Sequence, residues 1–237
     1  MQDKVILIAG AGRGIGRALA LKLGAQGAKL ALSARTYPEL AMLADEVKAL
    51  GGQALATAAD MTVQREVANL IAETHATYGR LDAVYYGAGV GALSSALDLT
   101  EADLDRMWAT NFKGLFHLTR AAIPHMLTNG GGQFVIPVGI LGRHVMRNSA
   151  GYSASKFAVV GWVKALGEEF NKRGIRFTLL YLGGVNTGFW DTIEMRVDRT
   201  KLLTAEAAAD VALYALNAPS PAVVNEIVMQ PDSHQFV

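Results

Sequence analysis

Residues 4–16, Lys-Val-Ile-Leu-Ile-Ala-Gly-Ala-Gly-Arg-Gly-Ile-Gly, constrain the fold of this chain more than any other stretch. Val5 to Ala9 is an uninterrupted apolar run with β-branched residues, which suits a strand buried on both faces. Glycines follow at 10, 12, 14 and 16, and residues 17–26 read as a helix. Strand, glycine turn and helix in that order aim backbone N–H groups and the positive helix end at a phosphate. A Cβ in the turn would block the close approach of a pyrophosphate. Alone, the glycine spacing also fits a flexible turn in any α/β domain. Because it opens a βαβ pattern, nucleotide binding is the better reading.

The alternation continues along the chain. Further strands are expected at 29–33, 53–58, 81–86, 133–138, 176–181 and 226–229. Helices are expected at 37–50, 63–77, 101–128 (in one piece or two), 151–173 and 204–217. Pro124 is expected to bend the end of its helix or to open a new turn. This order predicts the α/β class, as one doubly wound domain over residues 1–237 around a parallel sheet of about seven strands. With 51% apolar and 18% charged residues the chain can bury a large core, which excludes a disordered protein. Its net charge of +1 favours neither nucleic acid nor an acidic membrane surface. The absence of cysteine removes disulfides, thiolate catalysis and cysteine-ligated metals. His75, His117, His125 and His234 show no metal-ligand spacing, so no metal is expected. Met-Gln-Asp-Lys leads directly into the first strand without signal-peptide character, and no apolar run reaches the ~20 residues of a membrane span. A cytoplasmic location is the expectation.

A second motif, Tyr152-Ser153-Ala154-Ser155-Lys156, places a phenol and an ammonium one helical turn apart on the same face. A free tyrosine titrates near ~10 and is a poor acid–base group at neutral pH. A neighbouring ammonium favours the phenolate and lowers that value. Any long helix can hold such a pair by chance, and the motif alone does not decide.

The order and separation of the two motifs resemble the short-chain dehydrogenase/reductase family over essentially the whole chain. The resemblance runs through Gly10-x-x-x-Gly14-Ile15-Gly16, Asp60, Ala88-Gly89, Asn111, Tyr152-x-x-x-Lys156 and Gly184-x-x-Thr187. It implies a Rossmann-type fold and an NAD(P)-dependent oxidoreductase that interconverts a small-molecule carbonyl and an alcohol by hydride transfer. On that likeness Tyr152 protonates the carbonyl, and Lys156 holds the nicotinamide ribose and lowers the tyrosine pKa. Asn111 anchors a water of the proton relay. Asp60 meets the adenine, with Met61 beside it, and Thr187 meets the nicotinamide carboxamide or the phosphates. Gly10, Arg13, Gly14, Ile15 and Gly16, then Ala88 and Gly89, then Gly184 and Val185, complete the implied cofactor site.

Ala34 fills the position of the acid that holds a ribose 2′-OH in NAD-type sites, while Arg35 follows it and Arg13 lies in the glycine turn. Two guanidiniums flanking a 2′-phosphate predict NADP(H) in preference to NAD(H). Arg143, His144 and Arg147 either attract an anionic substrate or form a solvated loop. Phe189, Trp190, Ile193 and Met195 suggest a hydrophobic or aromatic substrate, or merely pack down a lid. Self-association as a homodimer or homotetramer through residues 101–128 and 151–173 is also implied.

The departures matter as much. Ala9 stands where the family usually has threonine, Tyr86-Gly87 where it has two asparagines, and Gly183 where it has proline. Gly139 falls on the catalytic serine, whose hydroxyl would hydrogen-bond the substrate carbonyl. Loss of one such donor can cost on the order of 10²–10³ in rate. A bound water, Ser149 or a hydroxyl on the substrate are candidate replacements. Two readings therefore stand: a reductase or dehydrogenase, and a catalytically impaired NADP(H)-binding sensor or scaffold.

Overall fold

A computed structural model describes residues 1–219 and 221–236. Seven parallel strands form one sheet in the order β3-β2-β1-β4-β5-β6-β7. They are β1 (Val5–Ala9), β2 (Lys29–Ala34), β3 (Gln53–Ala58), β4 (Ala83–Tyr86), β5 (Gly132–Pro137), β6 (Ile175–Leu182) and β7 (Glu226–Met229). Every residue of β1 is buried, as expected of an apolar run with helices on both sides. Its register pairs Val5 with Lys29 on β2 and Ile6 with Ala83 on β4.

Helices α1 (Gly14–Gly24), α2 (Tyr37–Ala49) and α7 (Ala205–Leu216) cover one face of the sheet; α3 (Gln64–Tyr78), α5 (Gly114–Thr128) and α6 (Ala150–Phe170) cover the other. Each layer has its own core. Ile6, Ile8, Leu19, Leu23, Leu43 and Ala212 pack on the first face, and Leu7, Leu70, Leu118, Phe134 and Val163 on the second. Full burial of a leucine or isoleucine contributes about 1.5–3 kcal/mol.

The expected long helix at 101–128 is three segments in one run: α4 (Glu101–Met107), a π-helical stretch at Trp108–Lys113, and α5. Thr100 caps α4 by accepting from the Asp103 N–H at 3.1 Å. Pro124 opens no new turn: α5 continues through it to Thr128. The strand order reverses between β1 and β4, so the turns after Ala9 and Tyr86 diverge and leave a crevice at the carboxyl ends of the strands.

Candidate active site

A cavity of about 1010 Å³ fills that crevice. Its wall runs from Arg35, Asp60 and Met61 on the β2–β3 side, past Gly10, Arg13, Gly14, Ile15 and Gly16, to Ala88 and Gly89. It continues to Tyr152, Lys156, Gly184, Val185 and Thr187 on the β5–β6 side. The structure thus brings together, around one groove, every cofactor residue expected from the sequence. Asn111 alone of the named site residues lies behind the wall, 1% exposed.

Glycines make the closest approaches in the groove wall possible. A Cβ on Gly16 would collide with the Gly10 carbonyl, and one on Gly14 would come within 3.0 Å of Thr187 Cγ2. One on Gly89 would stand 3.5 Å from Lys156 Nζ. Asp60 is held in place by the Thr62 N–H and hydroxyl, each donating to Oδ1 at 2.8 Å. Two buried hydroxyls on groove-lining residues, Ser33 Oγ and Tyr85 Oη, have no hydrogen-bond partner among the described residues. The Tyr85 ring fills the space in front of Gly87, where a Cβ would meet its Cε1 at 2.5 Å. A bulky side chain at 85 thus occupies the place vacated at 87. Tyr86 acts elsewhere, its hydroxyl donating to the Thr110 carbonyl at 2.6 Å and tying β4 to the π-helical stretch.

Tyr152 and Lys156 sit in the first turns of α6, with Lys156 7% exposed and its Nζ 5.6 Å from the centre of the Tyr152 ring. Asn111 braces this end from behind. Its Nδ2 donates to the Val90 carbonyl at 3.0 Å and to Ser155 Oγ at 2.9 Å, and its Oδ1 accepts from the Val90 N–H at 2.9 Å. The widened π turn carries Asn111 into that position. The expected lowering of the tyrosine pKa is not what this environment produces. Burial pushes the Tyr152 phenol above its ordinary value, and burial pushes the Lys156 ammonium down to about 8. In both cases the cause is loss of hydration, which disfavours the charged form of each group.

Gly139 follows β5 with φ +80 and ψ 161, a conformation essentially confined to glycine. A Cβ there would have open space, 3.9 Å from the Tyr152 hydroxyl and 3.8 Å from the Leu182 carbonyl. A serine here would have room for its side chain but would have to adopt that strained backbone conformation. Ser149 is no substitute: its Oγ is committed to the Met146 carbonyl at 2.7 Å and to Ser153 Oγ at 2.9 Å, and it lies outside the groove.

Other expectations change in detail. Arg143 turns away to Glu226 at 3.4 Å and stacks over Tyr181, His144 stacks on Phe236, and neither they nor Arg147 line the groove. Phe189, Trp190 and Met195 do line it, whereas Ile193 is buried beneath. Arg13 reaches across the groove mouth, its Nη1 3.2 Å from where a Cβ on Gly188 would stand. Sequence reasoning missed Glu39, whose carboxylate lies against Gly12 and lines the groove. It also missed the C-terminal residues Pro231, Ser233, His234 and Phe236, which line the same groove.

A family model described as short chain dehydrogenase matches residues 4–197. The chain belongs to that family. It is 34% identical over 231 residues to an uncharacterized oxidoreductase of Staphylococcus aureus, covering 98% of each chain. The fold superposes on an alcohol dehydrogenase from the archaeon Thermococcus sibiricus complexed with 5-hydroxy-NADP, with a TM-score of 0.92 and 25% identity over 99% of each chain. It also superposes on a metagenomic short-chain oxidoreductase in complex with NADP, with a TM-score of 0.84 and 27% identity over 98% of each chain. This short chain dehydrogenase is thus an oxidoreductase by family. No helix among its described residues is long and apolar enough to cross a membrane.

Proposed function

We propose that the protein is an NADP(H)-preferring reductase or dehydrogenase that interconverts a bulky apolar carbonyl compound and its alcohol. One observation carries the reading: Tyr152 and Lys156 stand at the end of a glycine-turn groove, with Asn111 bracing that end. NADPH, when bound, supplies the hydride. Tyr152 then hands its phenolic proton to the carbonyl oxygen of the substrate. At neutral pH the phenol carries that proton, so it is available to a bound substrate. Lys156, charged at pH 7, holds the ribose beside the reacting centre and stabilises the phenolate as the proton leaves.

Arg35 supports NADP(H), since Ala34 offers no carboxylate at the end of β2. Leu93, Met146, Phe189, Trp190, Met195 and Phe236 give the groove an apolar wall, which suits a hydrophobic substrate body. Asp60 meets the adenine and Thr187 the nicotinamide half. The protein works in the cytoplasm as a homodimer or homotetramer. The backbone at Gly139 supports the second reading, an NADP(H)-binding sensor or scaffold, because no side chain of residue 139 can polarise the carbonyl. A panel of ketones, aldehydes and alcohols assayed with each cofactor by nicotinamide absorbance separates them. Turnover of any member establishes the enzyme; cofactor binding without turnover of any establishes the sensor or scaffold.

A further inference from the structure

We propose that Glu39 is a specificity-determining residue at the adenosine end of the groove, favouring a free ribose 2′-OH and opposing a 2′-phosphate. The inference rests on the dinucleotide-binding reading above. Glu39 lies in the first turn of α2, just after the β2–α2 connection. Its Oε2 comes within 2.8 Å of the point a Cβ on Gly12 would occupy, and Ala34 Cβ lies 3.5 Å from the same point. The carboxylate therefore stands between the glycine turn and the end of β2, in the stretch of groove walled by Gly12, Ala34, Arg35 and Thr36. The other acids of α2 are spoken for, Glu46 by Arg17 and Asp45 by Lys48. Glu39 has no ion pair or hydrogen bond among the described residues, although Arg35 and Arg13 line the same groove.

A carboxylate at this place supplies what Ala34 lacks, an acceptor for a ribose hydroxyl. Against a 2′-phosphate the same carboxylate is a like charge at short range. Arg35 pulls in the opposite sense, so Glu39 and Arg35 set the cofactor ratio between them. The arrangement makes the chain less selective than its arginines alone would make it.

The test is a titration of the parent, Glu39→Gln and Glu39→Asp with NADPH and NADH, read by nicotinamide fluorescence. Adenosine 2′,5′-bisphosphate and 5′-AMP serve as fragments that probe this end alone, read by calorimetry. Glu39→Gln is expected to bind NADPH and the bisphosphate roughly tenfold more tightly, and NADH and 5′-AMP several-fold more weakly. Glu39→Asp keeps the acid of the helix turn but draws it back from Gly12, and is expected to shift the same way. Equal shifts for both cofactors, or none, overturn the role of Glu39. A parent that binds NADH more tightly than NADPH removes the NADP(H) preference, while opposed shifts would still uphold Glu39. A parent that binds neither dinucleotide overturns both readings.

Discussion

Three residues at the reacting end make separable predictions. Tyr152→Phe removes only the hydroxyl, so NADPH binding is expected to survive while turnover falls ~10²–10⁴-fold. Full activity in that variant would rule out Tyr152 as the acid. Lys156 has a folded-state pKa lowered to about 8 from an unfolded value of 10.5. Between those values the unfolded chain holds more protons, so stability rises with pH from 8 upward on its account. The tyrosines whose values are raised oppose this from about pH 9, where unfolded phenols begin to ionise. Denaturant unfolding at pH 8 and pH 9 is expected to show a gain about 1 kcal/mol larger in the parent than in Lys156→Met. An identical pH dependence in both would refute the buried-lysine account. Gly139→Ser and Gly139→Ala are both expected to destabilise by about 1–3 kcal/mol, since either side chain must adopt φ +80. If Ser and Ala leave the denaturant midpoint unchanged, the backbone at 139 is not what excludes the serine.

At the scale of elements, the site is held by connections between segments distant in sequence. Asp82, in the turn before β4, accepts from the Val5 N–H at 2.9 Å and from Arg80 and Lys4, pinning the start of β1. Burial pushes its carboxyl up, but the Val5 N–H, Arg80 and Lys4 together outweigh that and hold it below the usual range. Its stabilising effect is therefore complete above the unfolded value near pH 4 and disappears as pH falls through the lower folded value. Asp82→Asn is expected to cost about 1–3 kcal/mol at pH 7 and little at pH 2, which urea titrations at the two pH values can check. Behind the site, the π-helical stretch owes its use to position rather than strength. It brings Asn111 to Val90 and Ser155, and Ser155 in turn donates to the Tyr152 carbonyl at 2.7 Å. The lid after β6 is tied down by Asp191 to Arg199 and by Trp190 Nε1 donating to the Val185 carbonyl at 2.9 Å.

For the whole molecule, the parallel sheet decides where chemistry is possible. At its switch point two turns diverge and leave the groove, and the glycine turn lies there. The outer surface of α6 bears on association. Val159, Val163 and Leu166 face the core, and Trp162 is satisfied within the chain by donating to Thr119 Oγ1 at 3.2 Å. Phe157 remains 45% exposed and, with Val145 and Ala154, lines a second, shallow depression. Light scattering at micromolar concentration is expected to give a dimeric or tetrameric mass. Phe157→Glu is expected to reduce it while leaving the melting temperature of the protomer close to the parent's. A monomeric parent would refute the assembly.

The sequence by itself determined the class of fold, the alternation of elements and the groups that meet at the groove. Those follow from local causes: apolar runs of strand length, glycines where backbone approaches backbone, and a Tyr–Lys spacing of one helical turn. Element ends moved by only a few residues, as with α1, which begins at Gly14 inside the glycine turn rather than at 17. Tertiary structure decided what depends on surroundings. The sign of the Tyr152 shift came from burial, which spacing does not report. The π turn at Trp108–Lys113 was visible only in the structure, since residues 101–128 carry an ordinary helical pattern. Glu39 carried no signal in the helical pattern of 37–50, and only the packing of α2 sets its carboxylate against Gly12. Gly139 looked like a missing hydroxyl, and only the backbone angle shows that a serine there would have to adopt a strained conformation.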